Sequence, residues 1–387
     1  MSRRVLIKTL PLHTNYGGIV QAYALQRAIR DLGHRAFVDT GDPIPLRRRL
    51  LHRIWAVRRA MRMLLPARAD WRWRAPREVL APQQRFLRRH LSTSSAVERA
   101  DTPRGRARLA RRFDTFVVGS DQVWRAAYAE IPEEYLEVIE EFHGPRPRRI
   151  SYAASFGRDD IDEYSDEERT RATELIRRFD AVSVREASGI RICAEEFGVH
   201  AERHLDPTML LTPEHYRGLV AGTGTDPAPA AGRTLVYRLD ATDEMLRAER
   251  AIADRVGAPT MELLPTASPA SYAAYAADRA RFDRPSVERW LASLASADFV
   301  VTDSYHGCVF SILFNRPFLV HANARRGAAR FDSLLGVFGL EHHRADIAAG
   351  ATAEGIDDRV FAPDWARVNR VLDAERARAT AYLVGNL

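Results

Sequence analysis

The chain reads as an α/β protein made of two Rossmann-like halves, each with a mostly parallel sheet, that face one another across a cleft. Three observations predict this. Short apolar runs recur along the sequence, each followed by a polar turn and then by apolar residues at helical spacing. The alternation breaks once, at a stretch rich in glycine, proline and alanine over 221–232, and then restarts. The length of 387 residues exceeds what one ordinary core holds. The expected division is therefore 1–220, a linker at 221–232, and 233–387.

Composition narrows the class. A hydrophobic content of 46% with 28% charged residues describes a soluble globular protein and excludes a disordered one. No apolar run is long enough to cross a bilayer. Two cysteines, Cys193 and Cys308, provide neither a disulfide framework nor metal-ligand spacing, so no metal is expected. The opening apolar run is too short for a signal peptide and lacks a small-residue cleavage site, so a reducing cytoplasm is the expected compartment. The net charge is +7 and comes almost wholly from arginine, since Lys8 is the sole lysine. That balance fits an anionic substrate or an anionic membrane surface as well as it fits nucleic acid, and nucleic acid is not the expected partner.

In chain order, a strand is expected over 5–10, a loop over 11–18 and a helix over 19–32. Leu25, Ala28, Ile29 and Leu32 share one face of that helix, and Gly33 stops it. A strand over 34–39 completes a βαβ opening. The loop lacks G-x-G-x-x-G and so is not a dinucleotide fingerprint. Gly17 and Gly18 still permit close backbone approach to a ligand. The segment 46–90 is a basic helical insertion. Leu46, Leu50, Ile54, Val57, Met61 and Leu64 make a stripe among many arginines. Such a stripe is expected to pack on the first half, with an anionic bilayer as the alternative. Strands at 115–118 and 149–154 each end in a polar turn. A helix over 166–179 has acids in its first turn, and a strand over 181–184 leads to Arg185 and Glu186. In the second half, a strand at 234–239, a helix at 243–256 and a strand at 260–264 precede a helix capped by Ser286. A buried strand at 299–301, a polar turn at 302–307 and a helix from 309 follow. A strand at 318–321 and helices at 331–338 and 363–387 finish the chain.

Chemistry is expected where strands end. In open α/β sheets ligands bind beyond the carboxyl ends of strands, and helix N-termini favour anions. His306 stands in such a turn, and a histidine can serve as acid or base near neutral pH, which makes it the leading acid–base candidate. Cys308 is read as a small packing residue rather than a nucleophile. Arg185 follows a buried strand, where its charge needs an anion or a carboxylate such as Glu186. Asp121 and Gln122 carry acceptor groups on a turn, and Trp124 could stack on a sugar ring or pack. Asp206 could orient a partner or cap a turn.

Taken together the motifs are specific. NYGGIVQAYALQ at 15–26, VGSDQVW at 118–124, SYAASFG at 151–157, VSVRE at 182–186, LDPT at 205–208, TDSYHG at 302–307 and RFDSLL at 330–335 occur in that order. This succession resembles the polysaccharide pyruvyl transferase family from Asn15 to about Arg344. Tyr305 stands where phenylalanine is common in the family, and Cys308 where threonine is common.

The resemblance implies a fold similar to that of the B-type glycosyltransferases. It also implies transfer of pyruvate from phosphoenolpyruvate onto two hydroxyls of a sugar, forming a cyclic ketal and releasing phosphate. On this basis His306 and Arg185 are the catalytic pair, and Arg185, Ser304, His306, Gly307, Arg330 and Ser333 meet the donor. Asn15, Gly17, Gly18, Asp121, Gln122 and Trp124 meet the acceptor, a sugar or a lipid-linked glycan. No bound cofactor is implied, phosphoenolpyruvate being a substrate. Contact with the inner face of an anionic membrane is the further expectation from the basic segment. The rival readings are a nucleotide-sugar-dependent glycosyltransferase on the same fold and a non-enzymatic basic membrane-surface binder.

Overall fold

The computed structural model describes residues 2–40, 79–97, 100, 102–140, 146–240, 243–265, 277–279, 281–321, 329–345 and 356–387. The basic stripe at 46–65 lies outside these residues. The end of the insertion is described and forms helix α2, Ala81–His90.

The first sheet contains β1 (Arg4–Lys8), β2 (Arg35–Asp39), β3 (Thr93–Ser94), β4 (Thr115–Val118) and β5 (Arg148–Ser151) in the order β3-β2-β1-β4-β5, all parallel. Single bridges from Ile150 to Ala181 and from Ala154 to Val184 extend it to β6 (Ser183–Val184), which pairs with β7 (Glu202–Arg203). The second sheet contains β8 (Thr234–Tyr237), β9 (Thr260–Glu262), β10 (Phe299–Thr302), β11 (Phe318–His321) and β12 (Arg344–Ala345) in the order β12-β11-β10-β8-β9, again parallel. Parallel strands are covered on both faces and so read as continuous apolar runs. Accordingly β4, β8 and β10 are buried at every residue. Strand order reverses between β1 and β4 in the first sheet and between β8 and β10 in the second. A crevice forms at such reversals, beyond the carboxyl ends of the strands.

The helices cover these sheets. In the first half they are α1 (Tyr16–Asp31), α2, α3 (Pro103–Arg112), α4 (Asp166–Ile176), α5 (Ala187–Glu195) and α6 (Pro213–Val220). In the second they are α7 (Asp243–Val256), α8 (Val287–Ser296), α9 (Tyr305–Leu313), α10 (Ala329–Phe338) and α11 (Trp365–Asn386). Several of their starts carry side-chain caps. Ser165 and Glu168 close a capping box on α4, and the Ser286 hydroxyl accepts from Arg289 N at 3.1 Å on α8. Helix α9 begins at Tyr305, one turn before the apolar spacing suggests, because the Ser304 side chain caps it. His306 therefore lies inside the first turn.

The halves share one hydrophobic core. Tyr16 of α1 stacks on Trp290 of α8 with centroids 5.7 Å apart and donates its hydroxyl to Pro285 O at 2.7 Å. Such a stack contributes about 0.5–1.5 kcal/mol beyond the area it buries. The terminal helix α11 packs on α10 and also returns to the first half. Arg376 Nε donates to Met209 O at 2.9 Å, and the Tyr382 hydroxyl donates to Ser151 O at 2.8 Å. These contacts fix how the two crevices face each other.

Candidate active site

The site is assembled from the starts of three helices, each following a strand of a parallel sheet. Helix α1 follows β1, α5 follows β6 and α9 follows β10. Their free N–H groups bring partial positive charge to one place. Gly17 in the first turn of α1 lies against the His306 ring, for a Cβ built there would stand 2.0 Å from His306 Nδ1. Only glycine lets the two helix starts meet in this way. In this structure the group that approaches the Gly17 backbone is the histidine itself.

Asp206 joins the leading candidates. It follows β7 and is wholly buried. Its Oδ1 accepts from Thr208 N at 3.0 Å and from the Thr208 hydroxyl at 2.8 Å. Its Oδ2 accepts from Arg185 Nη1 at 3.2 Å and lies 3.5 Å from His306 Nε2. The second distance is that of an ion pair without a made hydrogen bond, and Nε2 is enclosed without a partner. Burial alone would push the Asp206 carboxyl up, but His306, Arg185 and the Thr208 N–H hold it below the usual range. Arg185 and His306, read from distant motifs, thus converge on one oxygen.

Arg185 is 3% exposed and surrounded by acids. Its Nε donates to Glu186 Oε1 at 2.8 Å, and its Nη1 lies 3.7 Å from Asp121 Oδ1. Tyr305 places its ring 4.2 Å from the guanidinium carbon. Burial opposes the charge, yet Glu186, Tyr305, Asp121 and Asp206 more than offset it and raise the pKa. One nitrogen, Nη2, remains buried without a partner. Arg330 differs. It is 7% exposed, no hydrogen bond or ion pair to a described residue accompanies it, and its Nε is enclosed and unpartnered. Burial and the nearby Arg185 lower its pKa, while Asp121 and Glu186 pull the other way. A buried cation without an anion is costly and marks a place for one.

The remaining candidates divide. Asn15 does not cap α1; its Nδ2 donates to Asp121 Oδ2 at 3.2 Å, tying the turn after β1 to the turn after β4. Gly18 lies under that side chain, 3.1 Å from Nδ2 when a Cβ is built. Asp121 holds a left-handed φ of 66°, a conformation that non-glycine residues keep only where their surroundings demand it. Ser304 caps α9, and Gly307 packs on Thr302, so both shape the helix start. The Ser333 hydroxyl accepts from Ala187 N at 3.1 Å and so caps α5 from the second half. Gln122 is committed internally, its Oε1 accepting from Arg125 Nη1 at 3.0 Å.

Trp124 corrects the reading that placed it against an acceptor. It is fully buried, stacks on Tyr135 at 4.9 Å and 3°, and donates Nε1–H to Glu134 O at 3.4 Å. The apolar core closes over it, which leaves no face for a sugar. Cys308 is wholly buried, and burial pushes its thiol up, which suits packing rather than nucleophilic attack.

In sequence Asp206 offers only a turn cap or an orienting group. Its Asp-Pro-Thr context does announce the turn that fixes the carboxylate. Nothing local announces that the free oxygen meets residues 21 and 100 positions away. Among the described residues no cluster of three or more His, Cys, Asp or Glu side chains could hold a metal ion, and no helix is long and apolar enough to cross a membrane.

Comparison with known proteins agrees with this architecture. Solved structures similar over nearly the whole chain include the glycotransferase of kitacinnamycin, with TM-score 0.50, 15% identity and 100% of each chain covered. S. aureus MnaA solved with UDP matches with TM-score 0.52 and 9% identity over 97% of this chain and 96% of that one. Arabidopsis thaliana UGT89C1 with UDP-L-rhamnose matches with TM-score 0.50 and 12% identity over 99% and 98%. At these identities the likeness concerns the fold, that of two Rossmann-like domains as in B-type glycosyltransferases. No curated protein matches the chain. The model of one family, polysaccharide pyruvyl transferase, matches residues 15–325, and the chain belongs to that family and is a transferase.

Proposed function

We propose that the protein moves a pyruvyl group from phosphoenolpyruvate onto two hydroxyls of a sugar or glycan precursor, as a cyclic ketal. The observation that carries this reading is Arg330, in the first turn of α10, a buried guanidinium near Arg185 without a counter-ion among the described residues. A small dianion supplies what Arg330 lacks, since a planar guanidinium pairs with carboxylate or phosphate through two hydrogen bonds. The unpartnered Nη2 of Arg185 adds a donor, and the helix starts add partial charge. Arg185 is therefore the lesser anion binder of the two, its charge being largely met by Glu186, Asp121 and Asp206.

In the proposed reaction, His306 delivers a proton to the methylene carbon of the donor, and C2 becomes electrophilic. One sugar hydroxyl adds to C2, phosphate leaves with the bonding electrons, and the second hydroxyl closes the ring. Of the two hydroxyl protons released, one restores His306 and the other leaves on phosphate. Asn15 and Asp121 lie on the acceptor side. The test is incubation with phosphoenolpyruvate and a panel of free and lipid-linked sugars, with phosphate release and mass detection of the ketal. Arg330→Gln should raise the donor KM on the order of tenfold or more. An unchanged donor dependence sinks the role of Arg330. The rival is glycosyl transfer from a nucleotide sugar, which the UDP-bound fold neighbours make worth testing. Stabilisation by a nucleotide sugar and not by phosphoenolpyruvate would favour it.

Contact with an anionic membrane is also proposed, with the cytoplasm as the compartment. Arg85, Arg88 and Arg89 of α2 and Arg104, Arg108 and Arg111 of α3 are exposed, form no ion pair with described residues, and share their helices with no acid. Salt-sensitive sedimentation with anionic but not neutral vesicles is the expected result.

A further inference from the structure

We propose that Asp206 is the positioning residue of this site: it keeps the Nε2 proton on His306 and turns Nδ1 toward the reactants. The proposal rests on His306 being the proton donor and adds which nitrogen acts and what holds it.

The geometry carries the argument. A carboxylate accepts and does not donate, so a neutral imidazole facing Asp206 Oδ2 carries its single proton on Nε2. Oδ2 is 3.5 Å from Nε2, and no other partner competes for that enclosed nitrogen. The carboxylate cannot swing away, because both of its oxygens are engaged. Oδ1 is held by Thr208 N and Oγ1, and Oδ2 by Arg185 Nη1. The opposite nitrogen, Nδ1, is the one lying against Gly17 at the start of α1. It faces the junction of two helix N-termini, where an anionic donor is favoured. When His306 is charged, Nδ1 presents a proton there and Asp206 stabilises the imidazolium. When the proton has left, the ring returns to the tautomer that Asp206 already accepts. A carboxylate behind a histidine plays this orienting part in other acid–base sites.

Two further features fit. Asp206 belongs to the first half and His306 to the second, so the acid is oriented only where the halves meet. The charged and titratable groups facing Asp206 are Arg185, His306, Tyr152, Tyr216 and Tyr305. Arg185 brings Asp121, Glu186 and, through its charge, Arg330 into the same network. Tyr305 borders both His306 and Arg185 through its ring, and Asp206 is the carboxylate that meets both.

The test uses the full chain labelled with ¹⁵N-histidine, with His306→Gln to assign the His306 signals among the 12 histidines. At a pH where the ring is neutral, wild type should show the Nε2–H tautomer. In Asp206→Asn the carboxamide can keep Thr208 N satisfied only by turning its N–H toward His306. The ring should then shift to the Nδ1–H tautomer. An unchanged tautomer in a folded Asp206→Asn overturns the proposal. So does an Nδ1–H tautomer in wild type, which decides the matter even if the variant fails to fold. In turnover, Asp206→Asn should lower kcat on the order of 10²-fold with the donor KM little changed. The double variant Asp206→Asn/His306→Gln should be no slower than His306→Gln alone, and additive losses would show that Asp206 acts elsewhere. The tautomer measurement needs no donor, so it stands or falls separately from the identity of the substrate.

Discussion

Two strand-end turns look alike in sequence and differ in the folded protein. One follows β4, at Gly119–Trp124; the other follows β10, at Asp303–His306. Both are short polar runs after a buried strand. In the first, nearly every side chain is committed within the protein. Trp124 is stacked in the core, Gln122 holds Arg125, and Asp121 meets Asn15 and Arg185. In the second, Ser304 is a helix cap, but His306 keeps an enclosed Nε2 unpartnered and sets its other nitrogen against Gly17. Polar residues at a strand end are therefore not by themselves a site. What separates the two turns is how much hydrogen-bonding capacity each leaves unmet.

Substitutions should expose this difference. His306→Gln should cut phosphate release by about 10²–10⁴-fold while the melting temperature hardly moves. Near-wild-type turnover in the folded variant would break the comparison at its active side. Trp124→Ala should do the reverse and destabilise by about 3–5 kcal/mol, as other large-to-small core changes do. Denaturant titration reads the loss, and activity per folded molecule should persist; a stable but inactive variant would return Trp124 to the site. Gly17→Ala sits between the two classes. Its methyl must displace the His306 ring, so we expect about 1–3 kcal/mol of destabilisation together with a drop in kcat, since misplacement by an ångström costs up to about 10²-fold. Retained kcat would mean that the Gly17 contact does not orient the ring.

The smallest effect concerns Glu134, whose carbonyl takes the Trp124 N–H. Burial pushes its carboxyl from 4.5 up to about 7, against the pull of Lys8 at 3.2 Å. Lys8 is also near Asp39, at 3.9 Å, so two acids share the charge of the sole lysine. With the folded value raised, the protonated form stabilises the fold at low pH, and that contribution is lost as pH rises from about 4.5 to about 7. Glu134→Gln should flatten the fall in melting temperature across that window without changing turnover. A decline as steep as in wild type would show that Glu134 is not its source.

Much of the fold was legible in the sequence. Local rules act within a few residues: apolar periodicity, glycine stops and serine caps placed α7, α8, β10 and β11 close to where they stand. Short edge strands such as β3 and β12, and helices of mixed pattern such as α3 and α6, were not foreseen. Two residues or a weak stripe carry too little periodic signal. Within the site, His306 and Arg185 could be singled out because each sits at the end of a buried strand, where a polar group needs a reason.

The sequence by itself determined the two-half α/β plan, its parallel sheets and the turns at which chemistry could occur, because these depend on spacing along the chain. Only the tertiary structure decided which polar groups remain available. Arg185 and Arg330 are both arginines at helix starts, yet one is ringed by carboxylates and the other is ion-paired to none of the described residues. Trp124 and His306 both follow apolar strands, yet one is sealed in the core and the other lies between two helix starts. Saturation of a buried charge or hydrogen bond depends on partners tens to hundreds of residues away, and no local pattern encodes it.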